Sequence, residues 1–438
     1  MKPIRRLHYS IILISTFFLA TGLTHGQDYE KTFKWSFDAN NDVQVFLGNY
    51  DSDLEIRTWD KQEIELHMII DAEIRKEEDA RKIDDYITGM EFENSPETIR
   101  LDTRFWKSIT SIMGFTTMKL KNNESVRIKR FNMECKLWIP ENASLELSSK
   151  YSEINMEDIG GELEMDLYND DLFAGSVGGK ATIKAKYSEM NFTSMKNIIA
   201  DLYSCELETA DAGDIKITTK YSDIQTGDVG ILNIESYEDD LIFGNCGDIR
   251  FIAKYSDLEA GRAGKLVAKT YEGELKIEEI TDGRIESKYT DYQINKAGII
   301  NIISFYEGGL ESEKLISLDI QETKYAKYSF EELDNELNIV SAYEDEISVG
   351  RLGTGLKKLN IDGRYLDIEL GLAFNYDCRL KASIKYPDLN IDDDIFKTKI
   401  HIKEGSDLEY EGIKGTEKEG MPEFIISGYE VNLSISEY

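Results

Sequence analysis

Apolar and polar positions alternate in short runs through much of the chain. Ile215, Ile217, Thr219 and Tyr221 fall two apart, and Ile249, Phe251, Ala253 and Tyr255 repeat the pattern. A period of two, rich in β-branched residues, predicts half-buried strands. Gly213-Asp214, Gly227-Asp228, Gly247-Asp248 and Asp282-Gly283 fall between the runs as turn signals. Ile224 follows Tyr221 by three positions, so the chain must turn or bulge at Ser222-Asp223.

The runs themselves recur in two alternating versions. The first is Lys-Tyr-Ser/Thr-acid, with tyrosines at Tyr151, Tyr187, Tyr221, Tyr255 and Tyr289, spaced 36, 34, 34 and 34. The second places tyrosine before polar residues and a leucine, at Tyr168, Tyr203, Tyr237, Tyr271 and Tyr306, spaced 35, 34, 34 and 35. One rung is therefore about 17 residues, and two unlike rungs make the repeat. A 34-residue period also suits helical tetratricopeptide repeats, but the period-two alternation excludes them. Units this short cannot bury a face alone and must stack. The predicted fold is all-β, a parallel β-solenoid of about 17-residue rungs. Equivalent residues would then sit about 4.8 Å apart, and a stacked tyrosine pair would contribute roughly 0.2–1 kcal/mol. Tyr221 is in phase with the apolar residues before it, whereas Tyr271 is out of phase with Leu266 and Ala268. The two tyrosine series are thus expected on opposite sides of the sheet. Beyond Tyr306 the motif persists in Lys327-Tyr328-Ser329, Ala342-Tyr343-Glu344-Asp345, Arg364-Tyr365-Leu366-Asp367 and Lys385-Tyr386-Pro387-Asp388.

The N-terminal third is less regular. Residues 43–47, 54–58 and 64–70 read as strands. Within 71–90, Ile83, Ile87 and Met90 have helical spacing among charged residues, which predicts one amphipathic helix. Residues 91–140 return to strands, with an irregular insertion near 106–123, and residues 429–435 form the closing strand. No long linker separates domains. The expected organisation is a signal peptide over 1–26, an N-terminal cap over 27–140 and solenoid repeats over 141–438. The signal rests on Lys2, Arg5 and Arg6, followed by a short apolar stretch over 11–23 and the small residue Gly26. An uncleaved anchor is the alternative, and no later segment has the length of a membrane helix.

Charge narrows the possible partners. The chain carries 51 basic and 84 acidic residues, net −33. Such an excess repels nucleic acid and anionic membranes. A hydrophobic content of 41% is enough for a core, so the acidity does not signal disorder. Cys135, Cys205, Cys246 and Cys378 are widely spaced and read as buried fillers. Past the signal only His67 and His401 remain, too few for a histidine-built metal site. Glu153, Glu189, Asp223, Asp257 and Asp291 occupy equivalent places. They read as solvated turn acids, with a calcium-bridged row as the alternative. No catalytic, cofactor or metal residue is assigned.

The segment running from Asn49-Tyr50-Asp51-Ser52-Asp53-Leu54 to Trp59-Asp60 resembles the opening strand pair of the bacterial putative-adhesin family of exported proteins. The run from Trp138 to Leu147 resembles that family's entry into its repeats, although this chain has acids or serine where the family has glycine. The resemblance implies an exported β-solenoid and carries over no functional residue. The expected role is a non-enzymatic envelope or surface protein, adhesin-like or a scaffold, whose partner is an envelope protein or a polysaccharide. The rival is a carbohydrate-active β-helix enzyme. Its active site would fall at a break in the repeat, such as 321–330 with Glu322, Lys324 and Lys327.

Overall fold

This computed structural model describes residues 27–112, 115–391 and 394–438. The expected signal over 1–26 lies outside them. Two compact units, Met1–Ala212 and Gly213–Tyr438, are distinguished, and each is taken by itself. The described chain is nearly all β, its strands pair largely in parallel, and its one helix lies near the N-terminus. No helix among the described residues is long and apolar enough to cross a membrane.

In the first unit, Ser144–Lys150 pairs in parallel with Gln44–Tyr50 on one side and Leu163–Tyr168 on the other. Asp171–Lys186 and Glu189–Tyr203 continue the parallel stack. Strict alternation sends Leu145 and Leu147, then Leu163, Met165 and Leu167, inward, where each is almost fully buried. Gln27–Asp38, Glu63–Ile74 and Ser125–Pro140 form an antiparallel set beside this stack. The helix, α1, spans Glu77–Thr88 and buries Asp79, Ile83 and Ile87. It is shorter than expected. Residues 71–74 stay in strand, because they pair with both neighbours, and Met90 falls beyond the helix. Glu77, Glu78 and Asp79 sit in its first turn, where the helix dipole favours acids. Asp84 ties α1 to the first strand, accepting a 2.6 Å hydrogen bond from the Tyr29 hydroxyl and lying 2.8 Å from Lys31 Nζ. The insertion read as irregular is an antiparallel hairpin of Trp106–Ile112 and Phe115–Leu120.

In the second unit, Val229–Tyr237, Cys246–Lys254 and the long run Asp257–Ile320 pair in parallel at one-rung offsets. Thr323–Tyr343 and Lys358–Leu372 extend the stack. The C-terminal strand does not simply close the chain. Glu423–Glu437 lies between Lys358–Leu372 and Cys378–Lys385, parallel to both. Beyond Cys378–Lys385 come two antiparallel strands, Asp407–Lys414 and Lys397–Glu404. Cys135, Cys205, Cys246 and Cys378 are all buried, as fillers should be. Burial pushes the thiols of Cys135 and Cys378 up to about 12.

Candidate functional site

Each rung turns at a three-residue corner, whose positions are called here the shoulder, the apex and the heel. The shoulder ends a strand. In the first unit the register places Tyr50, Lys150, Tyr168, Lys186 and Tyr203 side by side at the shoulder. In the second unit the same column runs Tyr237, Lys254, Tyr271, and later Tyr343, Arg364, Tyr429, Lys385. Tyrosine and a basic residue thus alternate.

The apex does the reverse. It carries tyrosine where the shoulder is basic, as at Tyr151, Tyr187, Tyr255, Tyr325, Tyr365 and Tyr386. It carries Asn169, Ser204, Glu238, Glu272, Glu344 or Glu430 where the shoulder is tyrosine. All of these apex residues are left-handed, with φ between 51° and 59°. That conformation overturns the opposite-side expectation. Period-two phase holds only along an extended strand, and a left-handed residue swings the apex ring back onto the shoulder line. In the first unit Tyr50, Tyr151, Tyr168, Tyr187 and Tyr203 form one ladder, each ring centroid 5.6 Å from the next and the planes 77° to 83° apart. The second unit's ladder runs from Tyr221 through Tyr237, Tyr255, Tyr271, Tyr289, Tyr306, Tyr325, Tyr343, Tyr365 and Tyr429 to Tyr386. Edge-to-face contact is the geometry that aromatic quadrupoles favour. Rings stacked from identical positions, at a rung spacing of about 4.8 Å, would instead approach the disfavoured sandwich. Shoulder lysines lie beside these rings, Lys150 Nζ 5.7 Å from Tyr168 and Lys324 Nζ 5.0 Å from Tyr343.

The ladder faces solvent. Tyr151 is 48% exposed and Tyr255 42%. In the second unit a groove of about 620 Å³ runs beside Lys220, Tyr237, Lys254, Tyr271 and Lys288. The first unit has a cavity of about 740 Å³ against Tyr50 and Lys150.

The heel points inward and holds the residues that sequence reasoning missed. Asp170, Asp239 and Asp345 each stand two residues after a shoulder tyrosine, and all three are buried. Asp239 Oδ1 accepts from Ser222 N at 2.8 Å and Oδ2 from Tyr237 N at 2.9 Å and Ser236 Oγ at 2.6 Å. Asp170 does the same for Ser152 N and Tyr168 N. Asp345 Oδ1 accepts from Ala326 N at 2.7 Å, while Oδ2 has no partner among the described residues. Burial, opposed by these N–H groups, pushes the carboxyl of Asp170 up to about 6 and that of Asp345 up to about 7. It also raises Asp239. The available signal was position, since each of these acids stands two residues after a recurring tyrosine.

The predicted acid row proves denser than expected. Asp171 lies between Glu153 and Glu189, and Asp240 between Asp223 and Asp257. Asp257 Oδ1 accepts from Glu274 N at 2.7 Å, so it brackets the next rung. No group of three or more potential metal ligands comes together among the described residues. At the break over 321–330, Lys324 joins the ladder beside Tyr343, and Lys327 pairs with Glu346 at 3.3 Å. The Lys327-Tyr328-Ser329 run is a decoy. Tyr325 is the corner residue there, and Tyr328 is core, its hydroxyl 2.7 Å from Thr323 Oγ1. Phe305 packs against this ring with centroids 5.8 Å apart, and the heel of the preceding rung is Gly308. With φ of +135° and Thr290 O only 2.3 Å from an added Cβ, that heel admits no side chain.

Neither a family model nor a curated protein matches the chain. Among solved structures it is similar to a putative cell adhesion protein from Clostridium sporogenes, at 9% identity and a TM-score of 0.17, over 94% of this chain and 100% of that one. It is also similar to a putative lipid binding protein from Parabacteroides distasonis, at 11% identity and a TM-score of 0.18, over 68% of this chain and 96% of that one. At TM-scores this far below 0.5, neither likeness supports an inference about this chain.

Proposed function

We propose that this chain is an exported, non-enzymatic β-solenoid of the cell envelope, and that its tyrosine corner is an adhesin-like face for an extended envelope polymer. One observation carries the reading. Bulky tyrosines hold left-handed backbone at exposed apices, where glycine or asparagine would serve the turn without strain. Strained residues that persist in a fold are grounds for a functional hypothesis, and here the feature retained is a line of solvent-facing rings flanked by lysines. Such a line repeats with the rungs and suits a ligand that itself repeats, whereas an enzyme would concentrate its unusual residues at one break. Purified residues 27–438 should retain cell-envelope polysaccharide in a co-sedimentation assay. Failure to retain any envelope polymer would remove the binding role, and turnover of one would favour the carbohydrate-active alternative.

A further inference from the structure

We infer that the cavity at the Tyr50 end of the first unit's ladder binds an oxyanion carried by an acidic polysaccharide. The inference rests on the binding role proposed above and assigns its ligand class. The cavity, of about 740 Å³, is lined by Arg104, Lys107, Lys121 and Lys150 beside Tyr50 and Trp106. Its only acidic lining residue is Asp102. In a chain of net charge −33, four cations around one hollow are a local reversal of sign.

Most of that charge is uncompensated. Lys121 Nζ pairs with Asp102 at 2.6 Å. Lys107 Nζ donates to the neutral Asn123 Oδ1 at 2.8 Å. Lys150 Nζ faces the Tyr168 ring rather than an acid. Arg104 lies over Tyr50, its Cζ 4.0 Å from the ring centroid, and donates from Nη2 to Lys107 O at 2.9 Å. Its Nε is buried with no acceptor among the described residues. Stacking on an aromatic ring fixes the orientation of a guanidinium, a planar donor group that matches a carboxylate or phosphate.

Size and continuity select a polymer over a bare ion. The volume is far more than a bare ion fills and admits one unit of a polymer, and the exposed Ser148 offers a hydroxyl within the same lining. Lys150 belongs both to the cavity and to the shoulder column, where Lys186 follows two rungs on. Positive charge therefore recurs every second rung away from the cavity, alternating with tyrosine. A chain with a carboxylate or phosphate at regular intervals matches that line.

The test is calorimetric titration of residues 27–438 with an oligogalacturonate, a glycerol-phosphate oligomer, a neutral oligosaccharide of equal length and inorganic phosphate. We expect one of the charged oligomers to bind, the neutral one not to, and affinity to fall as salt rises. The stronger charged oligomer identifies carboxylate or phosphate as the natural group. Arg104→Gln should weaken binding at least tenfold with an unchanged melting temperature. Should Arg104→Gln fold poorly, Lys107→Gln on the exposed hairpin carries the same expectation. Equal binding of the neutral oligomer, or of inorganic phosphate alone, overturns the inference. If Tyr187→Ala abolishes polymer binding while the Arg104 and Lys107 variants leave it unchanged, the cavity is wrong and the ladder stands. If nothing from the envelope binds, both fall.

Discussion

At the scale of the residue, the apex tyrosine is a balance between two terms. Left-handed backbone costs a side-chain-bearing residue roughly 1–2 kcal/mol. Each edge-to-face ring pair returns about 0.5–1.5 kcal/mol beyond its buried area, and Tyr255 touches both Tyr237 and Tyr271. The two nearly cancel. Tyr255→Asn, which tolerates the conformation, should therefore shift the melting temperature by only about 4 °C or less. Polymer retention should nonetheless drop severalfold. A large loss of stability with retention intact would show that the ladder serves packing alone.

At the scale of the element, the ladder obeys spatial order rather than chain order. Tyr365 and Tyr386 are both apex residues and follow one another in sequence with no shoulder tyrosine between them. Two like rungs in contact would break the alternation. The C-terminal strand prevents this by inserting Tyr429, a shoulder residue, which contacts Tyr365 at 5.6 Å and Tyr386 at 5.3 Å. The first unit shows the same at its start, where Tyr50 meets Tyr151 across a long sequence gap. Alternation is thus a packing requirement and more than an inherited duplication. It also makes Glu423–Glu437 an interior rung despite its terminal position. Deleting residues 423–438 should strip amide-exchange protection from Lys358–Leu372 and Cys378–Lys385, the two strands that share it. Unchanged protection in both would contradict this topology.

At the scale of the whole molecule, pH acts through the heel aspartates against a background of net charge −33. Their folded-state carboxyls titrate above the unfolded range, at about 6 for Asp170 and about 7 for Asp345. The folded chain therefore holds protons that the unfolded chain has released. Their stabilising contribution is complete below about pH 4 and is lost as pH rises through 6 and 7. For Asp345, 1% exposed, the difference is worth up to about 4 kcal/mol. The melting temperature should fall between pH 5 and pH 8, and Asp345→Asn should flatten that fall. An identical slope in the variant would rule Asp345 out as its source.

The sequence by itself determined the local facts: a 17-residue period, period-two strands, the amphipathic helix around Ile83 and Ile87, and a turn just after the recurring tyrosine. Each is a short-range preference, set by side-chain alternation and turn chemistry within a few positions. Tertiary structure alone decided what stacks on what. It put both tyrosine series on one line, because a left-handed apex resets the phase that strand periodicity had implied. It chose Tyr325 over Tyr328 as the corner residue and threaded the last strand between two earlier ones. It also buried Asp170, Asp239 and Asp345, and gathered Arg104, Lys107, Lys121 and Lys150 from separate elements around one cavity. None of these follows from neighbours along the chain, since each depends on contacts between rungs that only the folded stack brings together.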